Sequence, residues 1–305
     1  MDNLVRAKSK CVKYASKQPS NLMAVFLFQK DVQMRKNIWI PVIATLFFIS
    51  CTTNSDTKLF IATPSTDIPN TALKNLNTES SWQIQYSGEI DLSLQVDVYN
   101  IDLFDTPKES ISKLKDRGIF VMCYFSAGSY ENWRPDAKDY PPMVLGYPMK
   151  GWAGETWLDI RRIDVLRTVV ESRLDTAVSK GCNGVDPDNV DGYENNTGFP
   201  ITYNDQIAFN TFLASEAHQR GLAVGLKNDL NQIKDLVSVF DWVIYEECFS
   251  LNECDLLLPF VEAGKPVFLI EYEFSPQEFC AQANRMNFNA LHKNLDLDAY
   301  RVTCR

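Results

Sequence analysis

From Trp82 onward, short apolar runs alternate with longer amphipathic stretches, and this alternation leaves few folds open to the chain. Runs at Trp82–Tyr86, Val96–Ile101, Ile119–Phe125, Gly184–Asp186, Leu222–Leu226, Trp242–Tyr245, Pro266–Ile270 and Asn289–Leu291 have strand length and are rich in Val, Ile and aromatic residues. Between them the pattern predicts helices at Pro107–Asp116, Ile163–Lys180, Asp205–Arg220, Leu230–Val237, Asp255–Ala263 and Pro276–Met286. In the second of these, Leu166, Val169, Val170, Leu174, Ala177 and Val178 share one face. Gly221 and Gly264 stand where a glycine ends a helix, and Asp105 before Thr106-Pro107 reads as an N-cap with proline at the first helical position. Alternating strands and helices imply a parallel sheet. Eight strands in the about 255 residues beyond Ser50 fit an α/β fold of the (β/α)8 TIM-type barrel class, for which roughly 250 residues are typical. A doubly wound open sheet would show a glycine-rich phosphate loop after its first strand, and the sequence has none there.

The segment before this domain has the layout of an export signal. Met34-Arg35-Lys36 supplies a positive start and Ile38–Ile49 an uncharged apolar run, shorter than the roughly 20 residues that span a bilayer. Ser50-Cys51 then resembles a bacterial lipobox, in which the cysteine is lipidated. Residues 1–33 read as a start-site extension, 34–50 as a lipoprotein-type signal peptide, 51–80 as a polar tether and 81–305 as the barrel. The expected location is therefore outside the cytoplasm, periplasmic or at the cell surface, with the membrane reached through the lipid. Six further cysteines suit an oxidising compartment, although six permit fifteen pairings. Cys248–Cys254 closes a short loop, and Cys280–Cys304 would tie the last helix to the C-terminus. Cys123 and Cys182 are expected as buried thiols.

Charge excludes one class of partner. The whole chain carries −9, but residues 1–50 carry +6, which leaves −15 from Cys51 onward. Nucleic-acid binding calls for a basic footprint, so it is not expected, whereas a cationic ligand would be attracted.

In a barrel the active site lies where strands end. The polar residues just after the apolar runs are Asp102 and Asp105, Tyr124 and Ser126, then Asp188, Asn189, Asp191 and Tyr193. Next come Lys227, Asn228 and Asp229, then Glu246 and Glu247, and finally Glu271, Tyr272 and Glu273. Six strands thus deliver carboxylates, amides and hydroxyls to one rim. The two histidines, His218 and His292, lack metal-ligand spacing, Asp186–Thr197 fails as a calcium loop, and no Gly-x-Ser-x-Gly elbow is present. No metal or cofactor is expected. Paired carboxylates remain, the usual apparatus of glycosidic bond cleavage. Trp82, Trp133, Trp152, Trp157 and Tyr193 are candidates to stack on sugar rings.

These residues also carry a family resemblance. Val96-Asp-Val-Tyr-Asn-Ile-Asp-Leu-Phe-Asp-Thr106, Cys123-Tyr-Phe-Ser-Ala-Gly-Ser129, Trp133-Arg-Pro-Asp136, Trp157-Leu-Asp-Ile-Arg161, Gly184-Val-Asp-Pro-Asp-Asn-Val-Asp-Gly192 and Gly225-Leu-Lys-Asn-Asp229 are similar to the endo-α-1,4-polygalactosaminidases, glycoside hydrolase family 114. The resemblance implies a barrel that cuts α-1,4-linked galactosamine polymers, a cationic amino-sugar polysaccharide; a monomer is expected. It implies Asp188 and Glu246 as the catalytic acids. It also implies Asn before that glutamate, where this chain has Tyr245, so the choice between Glu246 and Glu247 stays open. Strand alternation lets only one of the two face the cleft. Asp188 beside Asn189 and Asp191 is expected as nucleophile. Glu246 is expected as acid/base, if Trp242 and Tyr245 give it the apolar surroundings that favour a protonated acid. A sugar-binding protein that has lost catalysis is the alternative, and retention of both acids favours the hydrolase.

Overall fold

The computed structural model describes residues 76–305. The predicted extension, signal peptide, Cys51 and all but the last residues of the tether lie outside the described residues. The elements in chain order are β1 (Trp82–Gln85), β2 (Val98–Asp102), α1 (Lys108–Asp116), β3 (Phe120–Ser126), β4 (Ser129–Glu131), β5 (Leu145–Pro148) and β6 (Glu155–Leu158). There follow α2 (Ile163–Lys180), β7 (Gly184–Asp188), α3 (Tyr203–Gln219), β8 (Ala223–Lys227), α4 (Ile233–Leu236) and β9 (Trp242–Glu246). The chain ends with α5 (Leu258–Glu262), β10 (Val267–Glu271), α6 (Pro276–Arg285), β11 (Asn289–His292) and β12 (Val302–Thr303).

All eight predicted strands form, and they pair in the order β1-β2-β3-β7-β8-β9-β10-β11, every neighbour parallel. β12 adds an antiparallel edge. The sheet is strongly curled. β1 and β10 stand six places apart, about 29 Å in a flat sheet at ~4.8 Å per strand. Yet the rings of Trp82 and Phe268, one from each, have centroids 4.9 Å apart. Phe120 of β3 likewise meets Trp242 of β9 edge to face at 5.9 Å. Such contacts need the inner face to close on itself in the manner of a TIM-like barrel. β1 shares no ladder with β11 among the described residues; side chains and the last loop join them instead. Trp82 Nε1 donates to the Asn289 carbonyl at 2.8 Å, and the Tyr86 amide donates to the Leu297 carbonyl at 2.8 Å.

Glycine at two inward strand positions makes the curl possible. A Cβ on Gly225 would lie 2.0 Å from Trp242 Nε1, and one on Gly184 would lie 2.7 Å from the same indole. The Trp242 ring therefore fills the interior across β7 and β8, fully buried, and it forms part of the floor below the strand ends.

The helices start where local chemistry satisfies their free amides. Thr202 and Asp205 form a capping box on α3, and Ser275 and Glu278 form one on α6. The expected cap on α1 is absent. Pro107 occupies the N-cap without a side-chain bond, and Asp105 lies 3.6 Å from Arg134 instead. The predicted fourth and fifth helices are shorter than their patterns, each beginning as a tight 3-10 turn, Leu230–Gln232 and Cys254–Leu257. Val178, placed on the buried face of α2 by periodicity, is exposed at the last turn.

Two features are new relative to the sequence reading. β4, β6 and β5 make a small antiparallel sheet between β3 and α2, from strands too short for their alternation to stand out. Cys123 and Cys182 are also not free thiols. They form a disulfide that joins β3 to the residue pair before β7, so it encloses the whole insertion. Cys248–Cys254 and Cys280–Cys304 are bridged as expected.

Gly225→Ala forces its methyl into the Trp242 indole. Overpacking of this kind costs about 1–3 kcal/mol. Chemical denaturation should show a loss of that size, and an unchanged midpoint would mean that the indole can move aside freely.

Candidate active site

On the barrel strands alternate side chains point inward. Phe120, Met122 and Tyr124 of β3 share the inner cluster with Trp242 and Ile244 of β9 and with Phe268 and Ile270 of β10. Continuing each series by two residues brings Ser126, Glu246 and Tyr272 to the inner rim. Gly184 sets the same parity on β7, which places Asp186 and Asp188 inside, and Gly225 sets it on β8, which places Lys227 inside.

Lys227 is the hub. Its Nζ lies 3.2 Å from Asp188 Oδ1 and 3.1 Å from Glu246 Oε2, with both pairs almost out of water. Burial opposes the ammonium, but Asp188, Glu246 and Asp186 outweigh it and hold this lysine above its ordinary range. The balance is reasonable in size. Desolvation of an ion costs several kcal/mol, while each contact near 3 Å attracts by roughly 5 kcal/mol at an effective dielectric of 20.

The carboxylates have further donors. Tyr124 OH donates to Asp188 Oδ2 at 3.1 Å, and the Asn189 amide donates to Oδ1 at 2.7 Å. Asn228 Nδ2 donates to Glu246 Oε2 at 2.9 Å while its Oδ1 accepts from the Glu246 amide at 3.1 Å. Tyr272 OH donates to Glu246 Oε1. The expected apolar surroundings of Glu246 are therefore not found. Trp242 turns toward Gly225, and Tyr245 donates its hydroxyl to Glu253. Phenols beside buried carboxylates ionise with difficulty, and Tyr124 and Tyr272 are both pushed well above the usual tyrosine range, by burial first and by Asp188 or Glu246 next.

The three strands that meet at Lys227 end in the same way. Asn189, Asn228 and Glu247 directly follow Asp188, Lys227 and Glu246, and their φ values are 61°, 58° and 65°. The chain leaves the sheet abruptly after the inward side chain. Asn tolerates this left-handed backbone and Glu does so less readily. Glu247 is held there by its backbone amide, which donates a hydrogen bond to the Ile270 carbonyl at 2.7 Å. Glu246 is thus the one that enters the Lys227 site as the last strand residue. The loop after it is fastened by Cys248–Cys254 and by the Phe249 amide, which donates to Glu271 Oε1 at 2.8 Å. Burial raises the Glu271 carboxyl to about 7.

The other predicted residues fall into three groups. Ser126 and Asn189 lie beside Asp188: Asn189 Nδ2 donates to Ser126 Oγ at 2.8 Å, and Ser126 Oγ contacts Ser129 Oγ at 2.6 Å. Ser129 Oγ in turn donates to Glu155 Oε2 at 2.9 Å, and burial raises the Glu155 carboxyl to about 8, with Glu131 adding to it. Asp102 is buried in a two-point ion pair with Arg134, at 2.8 and 3.0 Å, and its Oδ1 also accepts the Phe104 and Asp105 amides. Asp102 and Asp105 therefore anchor the Arg134 segment and do not join the Lys227 site. Asp191, Tyr193 and Asp229 form a third cluster against α3, where Asn210 Nδ2 donates to Asp229 Oδ2 at 2.8 Å and Tyr193 meets Tyr203 edge to face at 5.5 Å. Burial, with Asp191 and Glu194 nearby, raises Asp229 to about 8. Trp82, Trp152 and Trp157 are buried, so they are unsuited to stacking on a sugar.

The sequence over residues 63–305 matches the pattern of glycoside-hydrolase family GH114. This chain belongs to glycoside hydrolase family 114. A solved relative, Ega3 of Aspergillus fumigatus in complex with galactosamine, is 40% identical, with 75% of this chain and 96% of that chain covered and a TM-score of 0.72. The glycoside hydrolase domain of PelA from Pseudomonas aeruginosa shares the fold at 15% identity and TM-score 0.59, over 73% of this chain and 98% of that one. A search of the curated proteins gave no match.

The protein is a glycoside hydrolase, and some residues of this family 114 site had no sequence signal. Asn210 and Gln206 are polar residues on the buried side of α3, where periodicity suggests only a helix. Glu155 and Ser129 come from the unforeseen small sheet. Asp186 did have a signal, because Asp186 and Asp188 at i and i+2 of one strand must share a face.

Replacing Lys227 by Met leaves two buried carboxylates without their cation. Breaking such a site costs about 3–5 kcal/mol. Carboxyls left unpaired bind protons more readily folded than unfolded, so the deficit should grow as pH rises and shrink as it falls. Denaturant unfolding at pH 7 and pH 5 tests this. A deficit independent of pH would show that Lys227 does not balance these acids.

Proposed function

We propose that this family 114 hydrolase cuts α-1,4-linked galactosamine-containing polysaccharide internally, by a retaining mechanism with Asp188 as nucleophile and Glu246 as acid/base. The observation that carries this reading is the shared ammonium of Lys227. Its two contacts keep the nearer oxygens of Asp188 and Glu246 within about 6 Å of each other, close enough for both carboxyls to reach one glycosidic bond. One ammonium balances one carboxylate, so the second carboxyl can carry the proton that the leaving oxygen needs. Asp188 and Glu246 each meet Lys227 and two further donors, and Glu246, the more exposed of the two at 8% against 2%, is the one suited to exchange its proton with water.

In the first step Glu246 protonates the glycosidic oxygen as Asp188 attacks the anomeric carbon, which gives a glycosyl ester and a released chain end. In the second step Glu246 takes a proton from water, the water oxygen adds to the anomeric carbon, and the Asp188 ester bond breaks. The neighbour Ega3 was solved with galactosamine, and the acidic character of the chain beyond Ser50 suits a polymer of free amines. The curled sheet is read as a (β/α)8 barrel joined through Trp82 and Asn289.

On a partly deacetylated galactosamine polymer, Asp188→Asn and Glu246→Gln should each lower kcat by about 10² to 10⁴ with folding intact. Glu247→Gln should stay within about tenfold of the parent, since Glu247 sits outside the Lys227 site. Full turnover by Asp188→Asn, or a dead Glu247→Gln beside an active Glu246→Gln, overturns the assignment. Preference for a neutral glucan overturns the substrate.

We also propose export and lipidation at Cys51, from the apolar run that ends in Ser50-Cys51. Metabolic labelling with a fatty acid should tag the parent and spare Cys51→Ala. Equal labelling of both removes the anchor.

A further inference from the structure

Asp186 has no part in the steps above, yet it is a fully buried acid directly below them. We propose that Asp186 is a positioning residue for hydrolysis: its charge acts through Lys227 and sets the pH window in which Asp188 and Glu246 work. This rests on the roles given to those two residues under the proposed function.

The geometry is specific. Asp186 and Asp188 point the same way from β7, two residues apart and hence roughly 7 Å along the strand. Tyr86 OH, just beyond β1, shares its proton between Asp186 Oδ2 at 3.2 Å and Asn100 Oδ1 at 3.0 Å, and Asn100 Nδ2 of β2 donates to Asp186 Oδ2 at 2.8 Å. Tyr124 of β3 packs its ring against Tyr86 at 4.5 Å. Lys227 of β8 supplies the positive charge, with Glu246 of β9 on its far side and Tyr272 of β10 beyond that. Oδ1 of Asp186 is buried and has no hydrogen-bond partner among the described residues. Two neutral donors on one oxygen and none on the other is a poor host for a charge needed only for packing. A methylene chain would fill the same space at less cost.

The site therefore holds one ammonium and three carboxyls. Burial lifts the Asp186 carboxyl to about 6, Lys227 opposes this, and Asp188 adds to it. Near neutral pH the ionised Asp186 lends a negative charge that opposes the loss of the last proton shared by the site. That charge holds the proton for the leaving group to higher pH. Its cost is stability. A carboxyl raised from its unfolded value near 3.9 to about 6 favours the fold fully below pH 4, and that contribution is lost as pH rises through 6.

The test is Asp186→Asn, which keeps the shape and the acceptor for Asn100 and Tyr86. The kcat/KM profile on the deacetylated polymer is measured against pH, together with thermal unfolding. Both limbs of the bell should move to lower pH by about one unit, because neighbouring carboxyls ionise more easily once a negative charge is gone. The variant should melt higher than the parent at pH 7, with the gain fading toward pH 4. Limbs that stay in place overturn the inference, whether the rate falls or holds. Should the variant not fold, Tyr86→Phe removes one donor from the carboxylate and favours its neutral form, so the same limbs should move the same way by less, and fixed limbs there overturn it equally. A parent inactive on galactosamine polymers would instead count against the proposed function.

Discussion

The ammonium of Lys227 lies about 3 Å from two carboxylates in a place that water scarcely reaches. A buried lysine survives as a cation only where opposite charges outweigh its desolvation. Buried carboxylates at this spacing are tolerable only with a cation between them. Each member of the triad is the condition for the other two, and the surrounding structure can be understood as what keeps them in register. Lys227 ends β8, so its neighbours must end the strands on either side, β7 and β9. Asp188 and Glu246 do so.

That register depends on the interior below. The Trp242 indole occupies the space left by Gly184 and Gly225, which lets β7, β8 and β9 curl tightly enough to converge on one ammonium. Above it, three strands break into left-handed residues immediately after their functional side chain, at Asn189, Asn228 and Glu247. The loop after β3 is fastened to β7 by the Ala127 and Gly128 amides, which donate to the Asp188 carbonyl at 2.9 and 3.1 Å. Gly128 has no alternative there, since a Cβ would lie 1.7 Å from the Asn189 carbonyl oxygen. The loop after β9 is held by Cys248–Cys254 and by Glu271. Rigid supports on both sides suit a site whose two carboxyls must be held in a fixed relation to each other.

Much of this was legible in the sequence, for identifiable reasons. Apolar period and strand length gave all eight parallel strands, since a strand buried on both faces reads as a continuous apolar run. Reading the polar residue after each run found Asp188, Lys227, Asn228, Glu246 and Tyr272 together. The same rule also offered Asp102 and Asp105, which face Arg134, because a rule that counts strand ends cannot see a neighbouring insertion. That insertion, β4 to β6, went unseen because strands of three or four residues show no period. The Cys123–Cys182 bridge was missed because both cysteines sit in apolar segments, where a thiol and a half-cystine look alike. The apolar pocket expected around Glu246 was inferred from sequence neighbours, and on a strand the adjacent residue points to the other face, as Tyr245 does.

The central claim is that the Lys227-bridged acids act in two steps, with Asp188 bonded to the sugar between them. The stereochemistry of the first product reports on this without any substitution. Proton NMR of a fresh digest of α-1,4-linked galactosamine oligomer, followed from the first minute, should show the new reducing end appearing as the α anomer and only later equilibrating with β. Initial release of the β anomer would mean a single displacement by water, and would contradict the account.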